Sequence, residues 1–217
     1  MIIKPGMRVI NSLDTKLEYG TIGGVVKDGT ETLLLTCFHD VFHSPEMKWN
    51  DVSPTGASEV SIFFDPVYKQ AGEITRMLRG PRIDLALIKP NSGITIDPTM
   101  NLNGATKGKI TLTDADIGNT TLYKTGGATG PTSGLYQGVR PQYGVPYPYD
   151  GGNDFILYNL LKVWGSGGSK FSDGGDSGSF VLNGLNRVAG VIVLGDANFS
   201  YMMDALAIEV NFNINFT

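Results

Sequence analysis

The sequence predicts an all-β chain whose strands fall into two groups, and three observations carry this prediction. Short apolar runs of strand length recur along the chain, each bounded by Gly, Pro, Asn or Asp. Glycine is abundant, with 29 residues in 217, and 11 prolines add further turn signals. A polar stretch at residues 91–116, rich in Gly, Asn and Thr, separates the two groups. Such a pattern is typical of two barrels or a split sandwich.

The individual elements follow from the apolar runs. In the first group we predict strands at residues 21–27, 32–37, 59–64, 72–78 and 83–89. In the second group we predict strands at residues 121–124, 134–139, 154–163, 178–182 and 187–194, with one more at 109–112 inside the connector. The only segment predicted to be helical is 203–210, where Asp204 lies near the start and the helix dipole favours a negative charge.

One segment of the second group is expected to be a loop. Residues 140–153 contain three Pro, three Tyr and three Gly. This composition fits a stiff, exposed connection, but long loops in compact domains are often functional. A lip over a binding cleft is therefore the alternative interpretation.

Composition excludes several classes of function. Apolar residues make up 41% of the chain and can form a sizeable core, while the net charge of −4 predicts no basic surface for nucleic acid. The longest apolar run, 188–194, is far shorter than the roughly 20 residues that span a bilayer, so no membrane partner is expected. Cys37 is the only cysteine, and the N-terminal residues do not resemble a signal peptide. We therefore expect a cytoplasmic protein, or a secreted one if a signal peptide has been removed.

The strongest chemical signal lies at residues 173–179, which read Asp-Gly-Gly-Asp-Ser-Gly-Ser before an apolar strand. Ser177 lies between glycines at the start of that strand, so its hydroxyl would be exposed and accessible. Gly175 has no Cβ and could turn its N–H toward the space beside the Ser177 hydroxyl. The N–H groups of Gly175 and Ser177 would then form an oxyanion hole. The alternative is an ordinary glycine-rich hairpin turn.

A serine nucleophile needs a base, and the base needs a carboxylate to orient it. His39 follows the apolar run 33–38 and could face a cleft, although a surface histidine is the simpler interpretation. Asp84 is a single charge that opens the apolar strand 84–88, where a buried carboxylate would require a partner. A histidine N–H could be that partner; an exposed aspartate at the start of a strand is the alternative.

Taken together, these motifs resemble the chymotrypsin-like serine peptidases, in particular their bacterial branch. The matching patterns are Thr-x-x-His at 36–39, Asp-Leu-Ala-Leu at 84–87 and Gly-Asp-Ser-Gly at 175–178. Residues 19–23, 124–130 and 188–195 are also similar to stretches of that family. The resemblance runs from about residue 19 to the C-terminus, in the chain order His, Asp, Ser.

The resemblance implies one peptidase domain of two six-stranded antiparallel β-barrels with a short C-terminal helix. The barrels would span about 19–89 and 120–201, with a linker at about 90–119. It implies a serine endopeptidase that cleaves peptide or protein substrates through an acyl-enzyme, with His39, Asp84 and Ser177 as triad and no cofactor or metal. Because His39 must be neutral to act as base, kcat/KM should fall on the acid side near a pKa of about 6.5–7. Regulation by a larger parent protein or a partner is left open.

The resemblance also assigns a specificity pocket. Phe171, six residues before the serine, would lie at the pocket base, and Val193, Leu194 and Gly195 would form the substrate-flanking strand. The absence of an acid at position 171 predicts uncharged, apolar P1 residues of small or medium size. If Asp173 or Asp196 entered the pocket, Lys or Arg would be preferred instead.

Some features depart from the family or favour another class. Asp40 stands where a cysteine commonly follows the histidine, and Asp176 requires a partner other than an inserted N-terminus. His39 and His43 have the His-x-x-x-His spacing of zinc peptidases, but that site needs a helix and a third ligand. A catalytically inactive barrel that serves as a binding or scaffold module is the remaining alternative.

Overall fold

The computed structural model describes residues 1–12, 19–41, 59–99, 104–146 and 154–216. The N-terminal strands are β1 (Ile2–Ile3), β2 (Arg8–Asn11), β3 (Gly20–Thr21), β4 (Gly24–Asp28), β5 (Glu31–Thr36), β6 (Glu59–Phe64), β7 (Val67–Gly80), β8 (Ile83–Pro90) and β9 (Thr95–Ile96). The C-terminal strands are β10 (Thr121–Gly126), β11 (Gly130–Pro146), β12 (Asp154–Gly165), β13 (Phe180–Asn183), β14 (Val188–Gly195), β15 (Ser200–Asp204) and β16 (Asn215–Phe216). The helices are α1 (Phe38–Val41) and α2 (Ala205–Phe212), with single 3-10 turns at Asp114–Asp116 and Ser166–Gly168.

The strands form two main layers, and the predicted all-β two-barrel class is confirmed. The C-terminal strands close into a six-stranded barrel in the order β10-β11-β12-β15-β14-β13. The N-terminal strands form an eight-stranded sheet in the order β16-β4-β5-β8-β7-β6-β2-β3. The first half is a curled sheet rather than the closed six-stranded barrel expected, and the short strands β3 and β16 are added at its two edges.

The C-terminal helix is confirmed with a shift of two residues. It begins at Ala205 rather than Met203, because β15 continues to Asp204. The Asp204 side chain caps the helix by accepting hydrogen bonds from the backbone N–H groups of Leu206 and Ala207. The chain then returns to the first sheet, where β16 pairs with β4. The C-terminus thus ties the barrel to the sheet.

Two sequence expectations on strand bounds were wrong. The segment from residue 140 belongs in part to β11, which pairs with β12 through Gln142 and Tyr158. A proline is tolerated at position 141 because this residue has no paired partner on β12. A paired position would need a backbone N–H, which proline lacks. Residues 147–153 lie outside the described part of the chain. The strand expected at 109–112 is reduced to a single bridge between Lys109 and Val188.

One cluster of buried apolar side chains joins the two halves, beside a separate cluster in each. Its buried side chains come from both sheets and from α2, and include Leu35, Leu85, Phe180, Val191 and Ile208. Thr21 N also donates to Ser177 O across the boundary at 2.8 Å. The loop that carries Ser177 is therefore packed directly against the N-terminal sheet. In the part of the chain that the structure describes, no helix is long and apolar enough to cross a membrane.

Candidate active site

His39 and Asp84 are brought together by the pairing of β5 with β8. Thr36, the last residue of β5, pairs with Ala86, so the turn that follows β5 lies beside the start of β8. His39 lies in α1, a single helical turn, rather than at the strand end that the sequence suggested. Its backbone N–H donates to Asp84 Oδ1 at 3.1 Å, and its Nδ1 lies 2.7 Å from Asp84 Oδ2.

This contact defines the state of both groups. The Asp84 side chain is only 5% exposed. Burial would raise the pKa of Asp84, but the charge of His39 and the hydrogen bonds from His39 outweigh burial and lower it. An ionised carboxylate can only accept a hydrogen bond, so His39 Nδ1 carries a proton and donates it. The second nitrogen, Nε2, is thereby directed away from Asp84.

Ser177 is held in a loop that requires its flanking glycines. Gly175 and Gly178 have φ values of +95° and +90°, a region that L-residues rarely adopt. A Cβ at Gly178 would lie 2.2 Å from Thr21 O, and one at Gly175 would lie 2.4 Å from the Tyr19 ring. The glycines of the motif therefore serve the close packing of this loop against β3 as well as its conformation.

A buried ion pair fixes the same loop. Asp176 and Lys124 have fully buried side chains whose charged atoms lie 2.9 Å apart. The Asp176 carboxylate also accepts hydrogen bonds from Ala128 N, Thr129 N, Thr129 Oγ1 and Asp173 N, at 2.7 to 3.1 Å. Burial opposes the charge, but these donors and Lys124 lower the pKa of Asp176. Lys124 is thus the partner that Asp176 was expected to require.

Sequence reasoning missed this role of Lys124, although a signal was available. In β10 partly buried and fully buried positions alternate, and Lys124 occupies a buried position of that alternation. A lysine on the inward face of a strand needs a carboxylate partner. Asp176 lies 52 positions later in the chain, so only the closure of the barrel identifies it.

The reactive atoms of His39 and Ser177 are engaged elsewhere in this structure. Ser177 Oγ donates to Val193 O at 3.2 Å. His39 Nε2 lies 3.2 Å from Asp40 Oδ1. Among the described residues, neither atom has a hydrogen bond to the other. By contrast, the backbone N–H groups of Gly175 and Ser177 have no backbone hydrogen-bond partner within the described ranges. Both N–H groups are therefore available to a ligand.

The residues predicted to form the specificity pocket differ in how deeply they are buried. Phe171 is buried in the core of the barrel, where its ring lies 5.8 Å from Lys124 Nζ. Val193 is buried, Leu194 is partly buried and Gly195 is exposed. Their roles in substrate binding stay predictions.

The two acids that could have altered the pocket have partners of their own. Asp173 is exposed and pairs with Lys170 at 3.1 Å. Asp196 accepts a hydrogen bond from Tyr201 Oη at 2.6 Å and two more from the backbone at residues 198 and 199.

Sequence reasoning also missed two serines. The hydroxyl oxygens of Ser172 and Ser200 lie 2.6 Å apart, and both side chains are buried. A Cβ at Gly195 would lie 3.8 Å from Ser172 Oγ, so the serine pair lies beside the strand predicted to flank the substrate. No local pattern distinguishes these serines from ordinary turn residues.

Several solved structures of bacterial proteases have a fold similar to this one. Nocardiopsis protease is similar with a TM-score of 0.64 and 18% identity, covering 99% of this chain and 98% of that one. Thermobifida fusca protease A has a TM-score of 0.62 and 18% identity, covering 100% and 99%. Cellulomonas bogoriensis chymotrypsin has a TM-score of 0.63 and 17% identity, also covering 100% and 99%. No family model and no curated protein matches the sequence. The chain has the two-barrel fold of the chymotrypsin-like serine proteases.

Proposed function

We propose that this protein is a serine endopeptidase in which Ser177, His39 and Asp84 act as a catalytic triad. The observation that carries the proposal is the 2.7 Å contact between His39 Nδ1 and the buried Asp84 Oδ2. This contact orients the imidazole as a base requires. The glycine-constrained serine loop and the fold shared with serine proteases add independent support.

The proposed reaction begins when the Ser177 side chain leaves Val193 O and turns to His39 Nε2. Ser177 Oγ attacks the substrate carbonyl carbon while its proton passes to Nε2. The N–H groups of Gly175 and Ser177 stabilise the oxyanion of the tetrahedral intermediate. His39 then donates the proton to the leaving amine, and a water molecule, activated by the same imidazole, hydrolyses the acyl-enzyme. Asp84 keeps Nδ1 protonated throughout and stabilises the transient imidazolium.

A binding or scaffold module with an inactive site is the second candidate. The observation that favours it is the present arrangement, in which Ser177 Oγ donates to Val193 O and His39 Nε2 faces Asp40. The arrangement also fits a free enzyme whose side chains rotate when substrate arrives, because catalytic hydrogen bonds are often loose without substrate. Measured peptide cleavage decides between the peptidase and the inactive module.

Cytoplasmic localisation stays a prediction.

The specificity proposed for the enzyme is a preference for uncharged, apolar P1 residues of small or medium size. Asp173 and Asp196 are engaged by Lys170 and Tyr201, which supports the expectation that neither serves as a receptor for Lys or Arg. A cationic side chain in an apolar pocket would lose its hydration without compensation.

The test is hydrolysis of matched peptides that differ only at P1. We expect purified protein to cleave peptides with Ala or Leu at P1 more than about tenfold faster in kcat/KM than peptides with Arg, Lys or Glu. Ser177→Ala should cleave none of them.

Chelation tests the alternative metal site at His39 and His43, of which His43 lies outside the described residues. EDTA should leave the rates unchanged. Loss of activity with EDTA and its recovery with zinc would favour the metal site. A tenfold preference for Arg or Lys over Ala and Leu would overturn the pocket assignment.

A further inference from the structure

The imidazole of His39 contacts two carboxylates, one at each nitrogen. Asp84 faces Nδ1 at 2.7 Å and Asp40 faces Nε2 at 3.2 Å. The Nδ1 contact is a hydrogen bond, whereas the Nε2 contact is an ion pair. Two carboxylates beside the ring favour the doubly protonated, positively charged imidazole. A doubly protonated imidazole has no lone pair with which to accept the serine proton.

We infer that Asp40 is a positioning residue that holds His39 by Nε2 in the free protein and must release it before Ser177 can be activated. The inference rests on the proposed function, since it concerns the base of the same triad. It assigns to the side chain that follows the histidine a role in the pH dependence of the enzyme.

The position of Asp40 is built into the fold. Its side chain is 4% exposed. The Thr36 hydroxyl, which donates to Thr21 O at 2.8 Å, lies 3.3 Å from Asp40 Oδ2. Room for the carboxylate exists because residue 20 is a glycine. A Cβ at Gly20 would lie 2.0 Å from Asp40 Cγ. The carboxylate therefore fills a space that any larger residue at position 20 would occupy.

The charges around His39 come from three elements. Asp40 lies on α1 with His39, Asp84 faces it from β8, and Arg79 acts on it from β7. Burial and Arg79 oppose the charged ring, but Asp84 and then Asp40 outweigh them and raise the pKa of His39 to about 9. Burial raises the pKa of Asp40 to about 6, with Asp84 adding to the rise and His39 opposing it. Cys37, whose pKa is raised by burial and by both carboxylates, stays a neutral thiol.

The consequence is an alkaline enzyme. The pKa seen on the acid side of kcat/KM is that of the free enzyme. With a His39 pKa of about 9 the neutral base is scarce at neutral pH and accumulates as the pH rises. An ordinary histidine would give a value of about 6.5–7. Because Asp84 raises the pKa of His39 more than Asp40 does, loss of the Asp40 charge lowers it only part of the way toward that value. Removing the Asp40 charge should lower the pKa of His39 and move activity toward neutral pH.

The test combines a titration that needs no catalysis with a pH profile that does. In Ser177→Ala protein labelled with ¹⁵N-histidine, the ring signals of His39 are followed by NMR from about pH 5 to about pH 10. His43→Gln assigns the only other histidine. Asp40→Asn and Asp40→Ala are compared with Asp114→Asn, which removes an exposed charge remote from the site. Circular dichroism at each pH checks that every variant is folded.

We expect His39 to titrate near 9 in the Ser177→Ala protein, and at least about one unit lower with either Asp40 substitution. In Asp40 variants that keep Ser177, kcat/KM at neutral pH should be about tenfold higher than in the wild type. The reason is that lowering the His39 pKa by one unit multiplies the fraction of neutral His39 by about ten. Asp114→Asn should change neither quantity.

A His39 pKa below about 7.5 in the Ser177→Ala protein would overturn the inference. This measurement needs no Asp40 variant. A pKa that both Asp40 variants leave unchanged would overturn it as well. If the pKa falls as expected but no variant cleaves peptides, the Asp40 contact stands and the peptidase proposal fails.

Discussion

Asp84→Asn is expected to lower kcat about 10⁴-fold while leaving the protein folded. The asparagine amide can donate a hydrogen bond to His39 Nδ1, which the carboxylate cannot do. The ring would then carry its proton on Nε2 and could not accept the proton of Ser177. The measurement is kcat for a cleaved peptide, with thermal unfolding followed in parallel.

Asp114→Asn is the matched control for Asp84→Asn, because it makes the same chemical change at an exposed site. It should retain wild-type kcat. A loss of less than tenfold in folded Asp84→Asn would remove Asp84 from the triad, whatever its distance from His39.

Lys124→Met is expected to lower the free energy of unfolding by about 3–5 kcal/mol, because it leaves the Asp176 carboxylate buried without its cation. The Lys124 and Asp176 side chains are fully buried, so no water can replace the lost partner. Equilibrium unfolding in urea measures the loss. The loop that carries Ser177 should loosen as well, so kcat/KM should fall in the fraction that remains folded.

Lys170→Met provides the control for this second substitution. Lys170 and Asp173 form an exposed pair at 3.1 Å in the same region, and exposed pairs are worth about 1 kcal/mol or less. Adding Asp176→Asn to Lys124→Met should recover part of the lost stability by removing the uncompensated charge. Equal losses for Lys124→Met and Lys170→Met would contradict the role assigned to the buried pair.

The neighbourhood of His39 and Asp84 could be predicted because each local pattern carries its own reason. A single acid that opens a strand as apolar as β8 needs a buried partner, and a histidine after β5 is within reach once the two strands pair. The conformations of Gly175 and Gly178 were also foreseeable from a serine set between glycines. Local chemistry and strand pairing therefore agree at these residues.

Contacts between distant segments could not be predicted in the same way. The pairing of β16 with β4 and of Lys124 with Asp176 depends on how the sheet and the barrel close. The contact between Asp40 and His39 depends on a side-chain orientation and on the space left by Gly20. The sequence indicated only that Asp40 differs from the usual residue. Local periodicity carries no information on any of these contacts.

The central claim is that Ser177 is an activated nucleophile, and covalent labelling tests it most directly. Native protein is incubated with a fluorophosphonate probe, and mass spectrometry measures the mass added and maps the modified residue. We expect a single label on Ser177, none on neighbouring Ser179, and none on Ser177→Ala or on unfolded protein. A folded wild-type protein that stays unlabelled across the alkaline range, or one labelled at another residue, would contradict it.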